Sequence, residues 1–116
     1  MAIGTVYPPE WRWLVDEQTG RRVQQLTTLG SNDQLYFYNP SVTPDGGSLV
    51  FYSDRSRLSN LFRLDLRSGE IVQLTNAAPA RAAYWPFTPP IRGVGACLAA
   101  LAEGGRALYY LDWEAA

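Results

Sequence analysis

The chain has 116 residues, of which 47% are hydrophobic, 18% charged and 13% aromatic, and its formal net charge is −1. That length holds one domain at most, and that apolar content excludes a disordered chain. No apolar run approaches the roughly 18 residues of a membrane span, and the basic residues are scattered, without the clustered footprint of a nucleic-acid binder. Histidine and lysine are both missing. A Ser-His-Asp triad, a Cys-His pair and histidine metal sites are thereby excluded. The single cysteine, Cys97, excludes an internal disulfide and a thiolate metal cluster, and reads as a small apolar residue. No metal ligands are assigned. Met1–Thr5 carries neither a basic nor an apolar leader region, so a cytoplasmic location is expected.

In chain order, the first element is a hairpin: Trp11–Asp16 runs out, Thr19-Gly20 turns, and Val23–Leu26 returns. Asn32, Asp33 and Gln34 form a polar lead into an aromatic, extended stretch, Tyr36-Phe37-Tyr38 through Val42. Thr43-Pro44-Asp45-Gly46-Gly47 is a turn, with proline where φ is fixed and glycine where φ turns positive. Ser48–Ser53 is rich in β-forming residues, and Asn60–Leu66 alternates between unlike faces. Ser68-Gly69 then turns the chain into Ile71–Leu74.

Asp16…Thr19-Gly20…Val23…Gln25-Leu26-Thr27 returns as Asp65…Ser68-Gly69…Val72-Gln73-Leu74-Thr75, 48 to 49 residues later. Propeller blades repeat at about 40–50 residues. A third echo runs from Gly104 to Asp112, mirroring Gly46–Asp54, while Thr88-Pro89-Pro90 stands for Thr43-Pro44-Asp45. The spacing makes Ile91–Glu103 an insertion at the tip of a turn, with Ala96–Ala102 a short helix or a loop. The fold class is therefore all-β: four-stranded antiparallel β-propeller blades. Residues 1–30 supply strands c and d of one blade, 31–76 a complete blade, and 77–116 strands a and b of the next, with the insertion at 91–103. A propeller closes with about four blades or more, so some two blades' worth of strands is expected to be part of a larger ring.

Asp16-x-x-Thr19-Gly20, Leu26-Thr27, Tyr36-Phe37-Tyr38, Thr43-x-Asp45-Gly46, Ser53-Asp54-Arg55, Asn60-Leu61 and Gln73-Leu74-Thr75 together resemble the N-terminal part of oligogalacturonate lyases, over about residues 10–76. Several of these elements are shared with Tol-type propellers. The resemblance implies a roughly seven-bladed propeller that cleaves oligogalacturonides in pectin breakdown. The reaction is a β-elimination: a base removes the C5 proton while manganese or arginine neutralises the uronate carboxylate. It implies manganese for the parent family, bound by histidines of later blades, with none bound by this chain, which alone is expected to be inactive. Family members often carry a histidine just before the Tyr-Phe motif, where this chain has Asn32-Asp33-Gln34-Leu35. The alternative is a non-catalytic Tol-like segment acting as a binding or scaffold module.

Four residues are candidates for substrate contact. Arg55 reads either as a clamp on a uronate carboxylate or as a partner of Asp54 or Asp45 that stiffens the turn. Tyr36 and Tyr38 read as sugar-stacking rings or as packing between blades, and Gln34 as a channel-mouth ligand or part of a solvated loop. Trp11, Trp13, Trp85 and Trp113 are read as blade-packing residues. Bare blade faces are expected to favour self-association; nucleic-acid and membrane partners are not expected.

Overall fold

The computed structural model describes residues 2–35, 40–76 and 96–112. Among them are nine strands, every pair of them antiparallel: β1 Val6–Tyr7, β2 Arg12–Val15, β3 Arg22–Gln25, β4 Asn32–Gln34, β5 Ser48–Ser56, β6 Leu58–Asp65, β7 Ile71–Gln73, β8 Ala96–Leu101 and β9 Leu108–Asp112. No α-helix occurs among the described residues, and none is long and apolar enough to cross a membrane. The all-β, antiparallel architecture agrees with the sequence reading of a propeller fragment.

The strands form a five-stranded sheet in the order β1-β7-β6-β5-β4 and two hairpin sheets, β2-β3 and β8-β9. The five-stranded sheet is buried on both faces, and its alternating side chains sort into two cores. Tyr7, Phe51, Phe62, Leu64 and Ile71 fill one face, joined by Leu26 from the end of the β2-β3 hairpin. Leu35, Val50, Leu61 and Ala99 fill the other, joined by Leu101 and Leu108 of the β8-β9 hairpin. The central sheet is thus packed on both faces, which explains why Leu49–Tyr52 of β5 is a continuous apolar run.

The sequence repeat is a repeat of hydrogen bonds. Asp16 accepts from the Gly20 amide (2.8 Å) and its own amide donates to Arg21 (2.8 Å); Asp65 does the same with Gly69 (2.8 Å) and Glu70 (2.9 Å). Gly20 and Gly69 both take positive φ, 70° and 80°. At the hairpin ends, the Gln25 and Gln73 amides each donate to a threonine carbonyl two residues on, Thr27 and Thr75, both at 2.8 Å.

The third echo departs from the reading. Ala96–Leu101, expected as a short helix or loop within an insertion, is strand β8 and pairs with β9. The intervening turn matches Thr43–Ser48: Thr43 donates to Ser48 and Gly46 to Thr43 (2.9 and 2.8 Å), while Ala102 donates to Ala107 and Gly105 to Ala102 (2.8 and 2.9 Å). Ala102, not Thr88, therefore occupies the place of Thr43. A small-residue run of low β-propensity becomes a strand because the neighbouring sheet supplies its packing. The two equivalent turns also touch, since a Cβ on Gly105 would come within 2.9 Å of Pro44 Cδ. Thr88-Pro89-Pro90, Trp85 and Trp113 lie outside the described residues.

Two further departures concern the ends of the central sheet. β1 covers the outer edge of β7, with Val6 opposite Val72 and Tyr7 opposite Ile71, where the sequence offered no strand signal. At the inner edge, Asn32–Gln34 is itself the strand, opposite Phe51–Ser53 of β5, and Val42 makes a separate bridge to Leu49.

Candidate functional site

β5 and β6 fall out of register between Ser53 and Ser56, so that Asp54 and Arg55 together oppose Ser59. A bulge of this kind re-aims side chains at a sheet end. Here it turns Arg55 back over the first core, its guanidinium carbon 5.2, 5.3 and 5.6 Å from the ring centres of Tyr7, Phe62 and Phe51.

Every nitrogen of that guanidinium is used. Nε donates to Ser53 Oγ (2.9 Å), Nη1 to Glu10 Oε2 (2.5 Å), and Nη2 to Glu10 Oε1 (3.3 Å), the Leu29 carbonyl (3.2 Å) and Asn32 Oδ1 (3.2 Å). The Arg55 side chain has no exposed surface, and that of Glu10 retains 12%. Glu10 in turn accepts from the amides of Thr28 (2.8 Å) and Leu29 (2.9 Å). Burial on its own would raise the Glu10 carboxyl; those two amides and the Arg55 charge outweigh it and hold the group below its ordinary value. The centre ties together the lead into β2, the β3-β4 connection, β4 and β5.

Neither expected aspartate partners Arg55. Asp54 accepts from the Ser31 amide (2.7 Å), while Asp45 accepts from the Thr43 hydroxyl (2.6 Å) and the Gly47 amide (2.9 Å). Each is consumed by nearby groups, as aspartates at turns usually are. Glu10 was not singled out in the sequence, and no motif links it to Arg55.

Of the other candidates, Gln34 is exposed at the end of β4, opposite Phe51. Asn32 and Arg55 are brought together, and the Asn32 amide also bridges to the Leu29 and Gly30 carbonyls (3.2 and 3.3 Å). Tyr36 and Tyr38 lie outside the described residues. A second polar centre, also unforeseen, is buried between β6 and the end of β7: the Thr75 hydroxyl accepts from the Leu61 amide (2.9 Å) and donates to Asn60 Oδ1 (2.8 Å).

The residues present do not fit a metal ion. The chain lacks histidine, and no group of three or more Cys, Asp or Glu side chains among the described residues is placed to hold a cation.

No protein-family model matches the chain, and no curated protein matches it. Solved structures do. The oligogalacturonate lyase of Vibrio parahaemolyticus superposes with a TM-score of 0.74 and 26% identity over 96% of this chain and 26% of its own. An oligogalacturonate lyase in complex with manganese superposes with a TM-score of 0.75 and 26% identity over 97% of this chain and 26% of its own. The chain spans about a quarter of the length of these structures. The resemblance in the motifs is thus a resemblance in three dimensions, and over nearly its whole length the chain is built like part of an oligogalacturonate lyase.

Proposed function

We propose that this chain is the N-terminal segment of an oligogalacturonate lyase-like protein, about two blades of a roughly seven-bladed ring, and that the whole protein cleaves oligogalacturonides by β-elimination in pectin breakdown. The observation that carries this reading is the superposition, at TM-scores of 0.74 and 0.75, on two structures with that one activity. In the elimination, a base takes the proton beside the uronate carboxylate, a C4–C5 double bond forms, and the C4–O bond breaks. A manganese ion, as in one of the two structures, would neutralise the carboxylate. Among the described residues no group of side chains is placed to hold it, and the part proposed for this chain is architectural.

In this reading Gln34, exposed at the end of β4, contacts the substrate, as do Tyr36 and Tyr38. Arg55 positions β4 through Asn32, because its own donors are closed by Glu10. A chimera tests the proposal: these 116 residues replace the matching quarter of a solved lyase, and the conjugated unsaturated product is followed by ultraviolet absorbance with manganese present. Product formation by the chimera, and none by the 116-residue chain alone, is expected. A folded chimera that makes no product sinks the reading.

A further inference from the structure

We infer that Arg57, at the tip of the β5-β6 turn, binds a uronate carboxylate of the oligogalacturonide outside the bond that breaks. The contact rests on the lyase reading, and the residues that make it belong to the central sheet.

Arg57 sits where the rest of the chain uses glycine. Its φ is 87°, and every other residue of positive φ among the described residues is glycine. The match is closest at two other turns. Gly46 and Gly105 take φ of 71° and 69°, and their amides donate to the carbonyls three residues back, Thr43 and Ala102, at 2.8 and 2.9 Å. The Arg57 amide donates to the Asp54 carbonyl in the same way, at 2.9 Å. In this left-handed conformation a Cβ crowds the following carbonyl oxygen, a strain that glycine avoids.

Nothing within the fold offsets that strain. Arg57 is exposed, and among the described residues its guanidinium has no hydrogen bond, ion pair or ring partner. Arg55, two residues earlier, is the opposite case: its side chain is buried and each nitrogen of its guanidinium is bonded. One arginine ties the sheet end together, and the other is left to solvent. A strained residue that no internal contact accounts for points to a role outside the fold.

Its position indicates the ligand. β4 begins at Asn32, opposite Ser53, and β5 runs on past it to Ser56. The β3-β4 connection reaches the same end, where the Ser31 amide donates to Asp54 Oδ1 (2.7 Å). Arg57 therefore stands at the end of the sheet from which the inner strand starts, with exposed Gln34 two residues into that strand. Asp33, the one carboxylate on β4, alternates to the other face from Asn32 and Gln34. Neighbouring blades of a propeller cover the faces of a sheet and leave its ends open, so a completed ring keeps this turn accessible. An oligogalacturonide carries a carboxylate on every sugar, so a substrate held at Gln34 presents further carboxylates beside it. A guanidinium offers the planar fork that matches one of them.

The chimera of the solved lyase carries the test, unaltered and as Arg57→Gly and Arg57→Lys. Glycine relieves the backbone strain, so Arg57→Gly should melt no lower than the unaltered chimera. Its KM for trigalacturonate should rise about five- to ten-fold with kcat unchanged. Arg57→Lys, which keeps the charge without the fork, should recover part of the loss. In calorimetry without manganese, Arg57→Gly should weaken trigalacturonate binding by the same factor and leave the fully methyl-esterified trimer unaffected. Unchanged KM and affinity overturn the inference and leave the lyase reading standing. So does an equal loss for acid and ester, or a lower melting temperature, either of which makes Arg57 a structural residue. A chimera that makes no product yet binds trigalacturonate through Arg57 sinks the lyase reading and upholds the contact. One that neither reacts nor binds sinks both.

Discussion

Arg55 and Glu10, 45 residues apart in the chain, meet as an ion pair at 2.5 Å, with a second contact at 3.3 Å. The pair closes the bulged end of β5 against the segment that leads into β2. It fixes where the first hairpin departs from the central sheet.

Removing one partner should therefore cost far more than a surface ion pair. Arg55→Met leaves the Glu10 carboxylate largely buried without its counter-charge, and a loss of about 3–5 kcal/mol is expected. Glu10→Gln keeps an acceptor for the Thr28 and Leu29 amides but leaves the buried Arg55 charge unpaired, and should also cost about 3–5 kcal/mol. The double variant should fall well short of the sum, since both changes disrupt one unit. Urea denaturation of the four proteins, with circular dichroism as the probe, gives these values.

The same pair sets a response to acid. Burial opposes ionisation of Glu10, and the Thr28 and Leu29 amides together with Arg55 more than offset it, so the folded value lies below the ordinary 4.5. A lowered carboxyl contributes stability that is complete above the unfolded value and is lost as pH falls through the folded one. Stability should be level above about pH 5 and decline below it. Glu10→Gln should flatten part of that decline in urea titrations at several pH values.

Two equivalent glycines should differ in tolerance. Gly20 and Gly69 share a positive φ, but a Cβ on Gly20 meets nothing within 4 Å, while one on Gly69 would lie 2.7 Å from Trp11 Cε2. Gly20→Ala should cost about 1–2 kcal/mol, the strain of the left-handed backbone. Gly69→Ala should add about 1–3 kcal/mol for overpacking against the indole. Thermal melts compare the two directly.

Thr75→Val should cost about 1–3 kcal/mol. The hydroxyl it removes serves the Leu61 amide and Asn60 together, and a methyl group of similar size leaves the amide buried without its acceptor. Thr75→Ser, which keeps the hydroxyl, should recover most of the loss. Hydrogen exchange at the Leu61 amide reports the change at its source.

Much of the fold is written locally. The Asp…Thr/Ser-Gly turns at Asp16 and Asp65 bond within a few residues of themselves, so the sequence alone places two hairpins and their spacing. The alternating Asn60–Leu66 run shows its strand for the same reason. What stays hidden depends on distant partners. Glu10 carries no motif, and its meeting with Arg55 is made by the sheet, not by spacing. β1 is a two-residue strand whose partners, Ile71 and Val72, lie far along the chain. β8 is alanine-rich, and its strand form comes from a neighbour: the Tyr52 hydroxyl accepts from the Ala99 amide at 2.7 Å. At the candidate site, Arg55 stands out in the sequence as the cation of Ser53-Asp54-Arg55 after an apolar run. Its role does not, because Asp54 and Asp45 are nearer in sequence and are already committed to backbone amides.

The strap formed by β1 also bears on the order of synthesis. Val6 and Tyr7 leave the ribosome well before Ile71 and Val72, their partners at the edge of β7. At roughly 5–20 residues per second, the first segment waits several seconds for a place to dock. Glu10 likewise precedes Arg55 and the Leu29 carbonyl. The nascent chain thus carries its outermost strand unpaired until the rest of the central sheet has emerged, and only then do its first ten residues become part of the fold.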